Sequence, residues 1–77
     1  MVRLLLFAGI REHLKTSSLH IEAVSIEELL NKLKYIYPEI TNLINTSIVS
    51  VNQVIRSSDY KFEVDDQVAI IPPISSG

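Results

Sequence analysis

The sequence predicts an α+β domain in which one amphipathic helix packs across a single mixed β-sheet. Three observations support this class: a capped helix with one apolar stripe lies between strand-like segments, the connections are short, and the two most apolar segments lie near opposite ends of the chain. A chain of 77 residues suits one domain, so we expect residues 1–77 to fold together.

The N-terminal part is expected to form two strands and a short helix. Residues 2–7 are apolar with one exception, as in a strand that is covered on both faces. Ile10 and Leu14, four residues apart, indicate one or two helical turns before a polar turn at residues 16–18. Residues 19–24 place apolar side chains at every second position, which is typical of a half-buried strand. We expect this strand to form a hairpin with the first.

Residues 25–37 carry the clearest local pattern. Ser25 and Glu28 form a capping box, in which each side chain pairs with an unsatisfied amide at the start of a helix. Pro38 ends the helix at Tyr37, because proline disfavours helical geometry in the residue before it. One apolar stripe follows the helical spacing: Ile26, Leu29, Leu30, Leu33, Ile36 and Tyr37. This helix should therefore lie across the sheet.

The remaining segments complete the sheet. Residues 39–45 are expected to form a loop with a short helical turn, and residues 47–55 a β-branched strand with a turn at Asn52-Gln53. A turn at Asp65-Asp66 precedes a last strand over residues 67–71. The order is β-β-α-β-β. With the first and last strands as parallel neighbours in the centre, it is the order of the β-grasp architecture.

Composition excludes several function classes. The net charge of −2 provides no basic field for nucleic acid or an anionic membrane. The chain has no cysteine, which excludes disulfides, thiolate metal sites and a cysteine nucleophile, and we expect a reducing cytoplasm. The apolar runs are far shorter than the roughly 20 residues that span a bilayer, and no signal-peptide pattern is visible.

No constellation of residues predicts an active site within the chain. His13 and His20 have no ligand spacing, and no glycine-rich nucleotide loop is present, so we expect neither a metal nor a bound cofactor. Ser75 and Ser76 have no nearby histidine or lysine to activate them. The chemistry of this chain is therefore expected to require partner proteins.

The segment 72–77 has the composition of a slim, flexible tail. Pro72 and Pro73 cannot donate to a sheet and favour an extended conformation that leads away from the domain. Ile74 can anchor the tail, and Ser75, Ser76 and Gly77 are small. Such a tail can enter a narrow channel and present a carboxylate, which becomes an acylating group once it is joined to AMP. Small polar residues are also common at frayed C-termini.

Three segments carry a family resemblance: residues 4–12, with Phe7-Ala8-Gly9, residues 51–53, and residues 66–74, which end a strand in Pro72-Pro73. With these segments in this order, the chain resembles the small subunit of molybdopterin synthase, a family of ubiquitin-like sulfur carriers. Two positions depart from the family pattern: Ser76 replaces the usual penultimate glycine, and Asp65 stands where glycine is frequent.

The resemblance implies a mechanism. A ubiquitin-activating-type enzyme would use ATP to adenylate Gly77, and a sulfurtransferase system would convert the adenylate to a thiocarboxylate. The carrier would dock on the large synthase subunit, in a heterotetramer, and donate sulfur to precursor Z in molybdenum cofactor biosynthesis. The alternatives are a ubiquitin-like modifier, a sulfur carrier for tRNA thiolation or thiamine synthesis, and a non-reactive β-grasp interaction module.

The first and last strands also predict a docking surface. Phe7 and Ile71 should lie on the sheet face away from the helix, with Ala69 between them and Leu5 as a weaker member. The pattern alone fits a core role equally well, and the resemblance favours docking. The partner-binding residues are then Phe7, Ile71, Pro72, Pro73, Ile74, Ser75 and Ser76, and the reacting residue is Gly77.

Overall fold

A computed structural model describes residues 2–73 of the chain. Its elements in chain order are β1 (Val2–Leu6), α1 (Ala8–Leu14), β2 (Ser18–Ile21), α2 (Ile26–Ile36), a 3-10 turn (Pro38–Ile40), α3 (Thr41–Asn45), β3 (Ile48–Val51), β4 (Val54–Ile55) and β5 (Gln67–Ile71). The strands form one sheet in the order β2-β1-β5-β3-β4. The β1–β5 pair is parallel and the other pairs are antiparallel. The predicted α+β class and the central pairing of the first and last strands are confirmed.

Helix α2 begins where the capping box predicts. The Ser25 hydroxyl accepts from the Glu28 backbone N–H at 3.2 Å. The Glu28 carboxylate in turn accepts from Val24, one residue before the N-cap that the motif predicts. The prediction that Ile36 joins the buried stripe is wrong, because its side chain is 55% exposed at the edge of the stripe. Tyr37, the next residue, packs against the core instead.

The hydrophobic core fills the space between α2 and one face of the sheet. Because side chains alternate along a strand, β1 and β5 each point every second residue at the helix. Leu4, Leu6, Val68 and Ile70 are at most 1% exposed and pack with the stripe of α2. The opposite face of the sheet carries the residues in between and is covered by no element within residues 2–73.

The segment after α2 is more helical than its sequence predicts. We expected a loop with a short turn over residues 39–45, and the chain forms a 3-10 turn followed directly by α3. Ile40 and Ile44, four residues apart, are both buried in the core. Their burial orders a segment that has no capping side chain at its start.

The predicted turns at Asn52-Gln53 and at Asp65-Asp66 are present, and both contain residues in the left-handed conformation. Asn52 and Gln53 have φ values of 51° and 72° and join β3 to β4 in a two-residue hairpin. Asp65, in the turn before β5, has a φ of 67°, a conformation that aspartate tolerates better than most residues. Within residues 2–73, no helix has the length and apolar character needed to cross a membrane.

Candidate partner-binding surface

The uncovered face of the sheet, called the open face below, brings residues of four strands into one row. Leu5 of β1 pairs with Ala69 of β5, Ala69 pairs with Ser50 of β3, and Ser50 pairs with Ile55 of β4. The next row contains the pair Ile48 and Ile71. The topology therefore collects apolar side chains that are far apart in sequence on one surface.

These side chains form an apolar patch, called the docking patch, which consists of Leu5, Phe7, Ile48, Ile55, Ala69 and Ile71. Phe7, Ile48 and Ile55 are 39%, 49% and 67% exposed, so they are not core residues. The patch surrounds a depression of about 430 Å³. Large exposed apolar patches in a small domain mark interaction surfaces. The predicted grouping of Phe7 and Ile71 on the face away from the helix is confirmed.

The docking patch continues to the point where β5 ends. Pro72, directly after Ile71, is buried, and Pro73 is exposed. Both prolines line a second groove of about 300 Å³ together with Thr46, Ile48 and Ile71. Ile48 and Ile71 thus belong to both concavities. The predicted tail residues Ile74, Ser75 and Ser76, and Gly77, the predicted reacting residue, lie outside the described residues.

The electrostatics of the patch favour an apolar partner. Among the described residues that line the depression, none is charged, and its polar edge consists of the amides of Asn52, Gln53 and Gln67 with the hydroxyl of Ser50. Arg3, the charged residue of β1 on this face, pairs with Gln67 at the polar edge but does not line the depression. A neutral apolar surface can be buried without the desolvation cost of a charge.

The acidic pair before β5 has a structural role. The Asp66 carboxylate is buried and accepts hydrogen bonds from the Glu63 backbone N–H at 2.7 Å, the Asn52 amide at 2.9 Å and the Tyr60 hydroxyl at 3.0 Å. The bond from Glu63, supported by Asn52 and Tyr60, holds the pKa of Asp66 below its usual value, although burial opposes this. Asp66 thereby links the β3–β4 turn to the start of β5, at the end of the strand opposite to Pro72.

The two histidines lie on different elements, and neither lines the depression. His13 contacts Glu39 at 3.4 Å on the surface, and His20 is exposed on edge strand β2. Across residues 2–73 no group of three or more histidine, cysteine, aspartate or glutamate side chains is arranged to hold a metal ion.

Sequence reasoning missed two of the six residues of the docking patch, Ile48 and Ile55, and also Ser50 at its polar edge. The sequence places all three in the strand-forming segment but on no surface. Strand alternation contained the signal, because Ile48 and Ser50 lie two residues apart, and the Asn52-Gln53 hairpin brings Ile55 back beside Ser50.

The sequence matches the ThiS family over residues 4–77. A protein from Dictyostelium discoideum named molybdopterin synthase sulfur carrier subunit is 38% identical over 81 residues, covering 97% of this chain and 94% of that protein.

Solved structures agree on the fold. The small archaeal modifier protein 1 of Methanosarcina acetivorans superposes with a TM-score of 0.85 at 21% identity, covering 99% of this chain and 95% of that chain. A chain of the protein-protein complex of subunits 1 and 2 of molybdopterin-converting factor from Helicobacter pylori superposes with a TM-score of 0.75 at 18% identity. The match covers 99% of this chain and 97% of that chain. At these identities the likeness shows the fold alone, which is the ubiquitin-like β-grasp.

Proposed function

The chain belongs to the ThiS family, and from this premise we propose that it is the sulfur-carrier small subunit of a molybdopterin synthase. The observation that carries the proposal is the 38% identity to a sulfur carrier subunit of that enzyme over nearly the full length of both chains. This identity favours a sulfur carrier over a protein modifier, because the modifier resembles the chain at a level that shows the fold alone.

The proposed chemistry takes place at the carboxylate of Gly77. One carboxylate oxygen attacks the α-phosphorus of ATP in a ubiquitin-activating-type enzyme, which forms the acyl adenylate and releases pyrophosphate. A persulfide of a sulfurtransferase system displaces AMP and forms an acyl disulfide. A thiol of that system then cleaves the S–S bond, which releases the terminus as a thiocarboxylate and leaves a disulfide on the sulfurtransferase system. Sulfur transfer to precursor Z, with water supplying the replacing oxygen, regenerates the carboxylate. ATP serves the activating enzyme, and the carrier itself holds no cofactor in this scheme.

The described surface supports docking on a catalytic large subunit. The docking patch would bind the body of that subunit, while Pro72, Pro73, Ile74, Ser75 and Ser76 lead Gly77 into its active site. Six residues span at most about 20 Å when fully extended, so the active site must lie within that distance of the end of β5. The active site belongs to the large subunit in this proposal, and the assembly is a cytoplasmic heterotetramer that acts as a sulfurtransferase.

The test is incubation of the chain with ATP and the activating enzyme of its host, followed by mass spectrometry. We expect an acyl adenylate, and with a sulfur donor a mass gain that corresponds to replacing one oxygen by sulfur. Deleting Gly77, or adding one residue after it, displaces the carboxylate by about 3 Å and should abolish both products. Thermal unfolding should not change. Isopeptide bonds to lysines of other proteins would identify a modifier instead, and an unreactive wild-type chain would refute the proposal.

A further inference from the structure

The docking patch is not flat, because the row across its centre has two small residues between two large ones. Ala69 and Ser50 are neighbours in the middle of the row, and Leu5 and Ile55 stand at its two ends. Side chains of adjacent strands stand side by side on one face of a sheet. Two small residues between two large ones therefore make a hollow, called the socket, whose floor is formed by Ala69 and Ser50.

The socket is closed on the side that faces the tail. The pair of Ile48 and Ile71 occupies the next row and separates the socket from the groove lined by Pro72 and Pro73. On the opposite side the edge is polar, because the amide side chains of Asn52, Gln53 and Gln67 line the depression there. The socket is thus the centre of the depression of about 430 Å³, with apolar walls on the other sides and an amide edge on this one.

We propose that this socket receives one aromatic side chain of the large subunit, and that Ala69 and Ser50 determine the fit; the inference rests on the proposed function. The lining argues for this occupant. Apolar walls without a charged residue favour an aromatic ring, and the amide edge can pair with the polar tip of a tyrosine or tryptophan. Aromatic side chains that fill pockets near the centre of an interface dominate its binding free energy.

The position of the socket gives the bound aromatic side chain a second role. Ile71 is a wall of the socket, and the tail begins at the next residue. An aromatic side chain seated beside Ile71 would fix where β5 ends relative to the large subunit. Six residues span at most about 20 Å. The position of the end of β5 relative to the large subunit therefore decides whether Gly77 reaches the reacting position.

The decisive variant is Ala69→Leu, which fills the socket while it adds apolar surface to the docking patch. A flat apolar interface would keep or gain affinity from this change. A socket would lose it, and we expect binding to the large subunit to weaken about 30-fold or more. His20→Leu is the matched control, because His20 is exposed on the same face, pairs with Arg3 and lies outside the socket. It should change affinity by less than about threefold.

A second pair of variants tests the wall and avoids any doubt about folding. Ile55 and Val54 are adjacent in β4, and both are at least half exposed, but only Ile55 lines the socket. We expect Ile55→Ala to weaken binding about fivefold to tenfold and Val54→Ala by less than about twofold. Thermal unfolding of all four variants should show that each is folded at the temperature of the binding measurement.

Sulfur transfer provides an independent readout. Thiocarboxylated Ala69→Leu should need a higher concentration to saturate the large subunit and should also reach a lower maximal rate, because the end of β5 is no longer held where it brings Gly77 to the reacting position. An unchanged maximal rate would refute this positioning role. Wild-type binding combined with undiminished binding of folded Ala69→Leu would overturn the socket and leave the proposed function intact. Failure of the wild-type chain to bind the large subunit would overturn the proposed function and the socket with it.

Discussion

Substitution of Phe7 is the sharpest test of whether the docking patch binds a partner or belongs to the core. Full burial of a phenylalanine side chain contributes roughly 1.5–3 kcal/mol, and Phe7 retains 39% of its exposure. Its concavity is open to solvent, so truncation leaves no enclosed cavity. Phe7 precedes α1 as its N-cap but makes no capping hydrogen bond through its side chain. We therefore expect Phe7→Ala to cost only about 1–2 kcal/mol of unfolding free energy.

The adjacent residue provides the matched control. Leu6 is 1% exposed and points into the core from the same strand end. Leu6→Ala should cost about 2–5 kcal/mol, because it removes buried methyl groups and leaves a cavity. For a domain of this size each kcal/mol corresponds to about 4–8 °C in Tm. Thermal or denaturant unfolding of the two variants will show whether their costs differ as their burial does.

Binding to the large subunit should give the reverse order. A central aromatic residue of an interface costs about 2 kcal/mol or more when it is truncated, which corresponds to about 30-fold in Kd. We expect this loss for Phe7→Ala, measured by calorimetry or surface plasmon resonance well below the Tm of the variant. The reasoning is refuted if Phe7→Ala destabilises the fold as much as Leu6→Ala and leaves the affinity of the folded fraction unchanged.

Two further predictions concern the network around Asp66 and the β3–β4 turn. The pKa of Asp66 is lowered in the folded chain, so its contribution to stability is complete above the unfolded value of about 3.8 and is lost as pH falls through the lower folded value. Asp66→Asn should flatten this acid limb in a pH series of unfolding measurements and cost roughly 1–3 kcal/mol at neutral pH; an unchanged acid limb would contradict the assignment. Gln53→Gly should raise Tm by a few degrees, because Gln53 has a φ of 72° that glycine adopts without strain. The expected gain in unfolding free energy is up to about 1 kcal/mol. A lower Tm would show that the turn is not strained.

The fold was predictable where a local sequence pattern and burial in the core favour the same element. The capping box and the apolar stripe specify α2, and Gln67–Ile71 has the bounds that its pattern predicts. Local signals were insufficient where tertiary burial decides. Thr41–Asn45 has no cap and becomes helical because Ile40 and Ile44 pack in the core, although their spacing of four was visible in the sequence.

The docking patch was predictable only in part, for a topological reason. Phe7 and Ile71 could be grouped because the first and last strands were expected to be neighbours. Ile55 required two more conditions, namely that the hairpin turns at Asn52-Gln53 and that β3 pairs with β5 in one register. A shift of one residue in that register would turn Ile48 and Ser50 into the core. The surface therefore depends on a pairing that no local pattern determines.

Strand β5 contributes residues both to the hydrophobic core and to the docking patch. It pairs with β1 on one side and β3 on the other, so its backbone is held along both edges. Its even-numbered positions, Val68 and Ile70, belong to the core, while Ala69 and Ile71 face the docking patch. Because the two sets point in opposite directions, a variant at Ala69 can alter recognition without opening the core. The tail follows directly from this strand, so a partner that binds Ala69 and Ile71 also fixes the position of the start of the tail relative to itself.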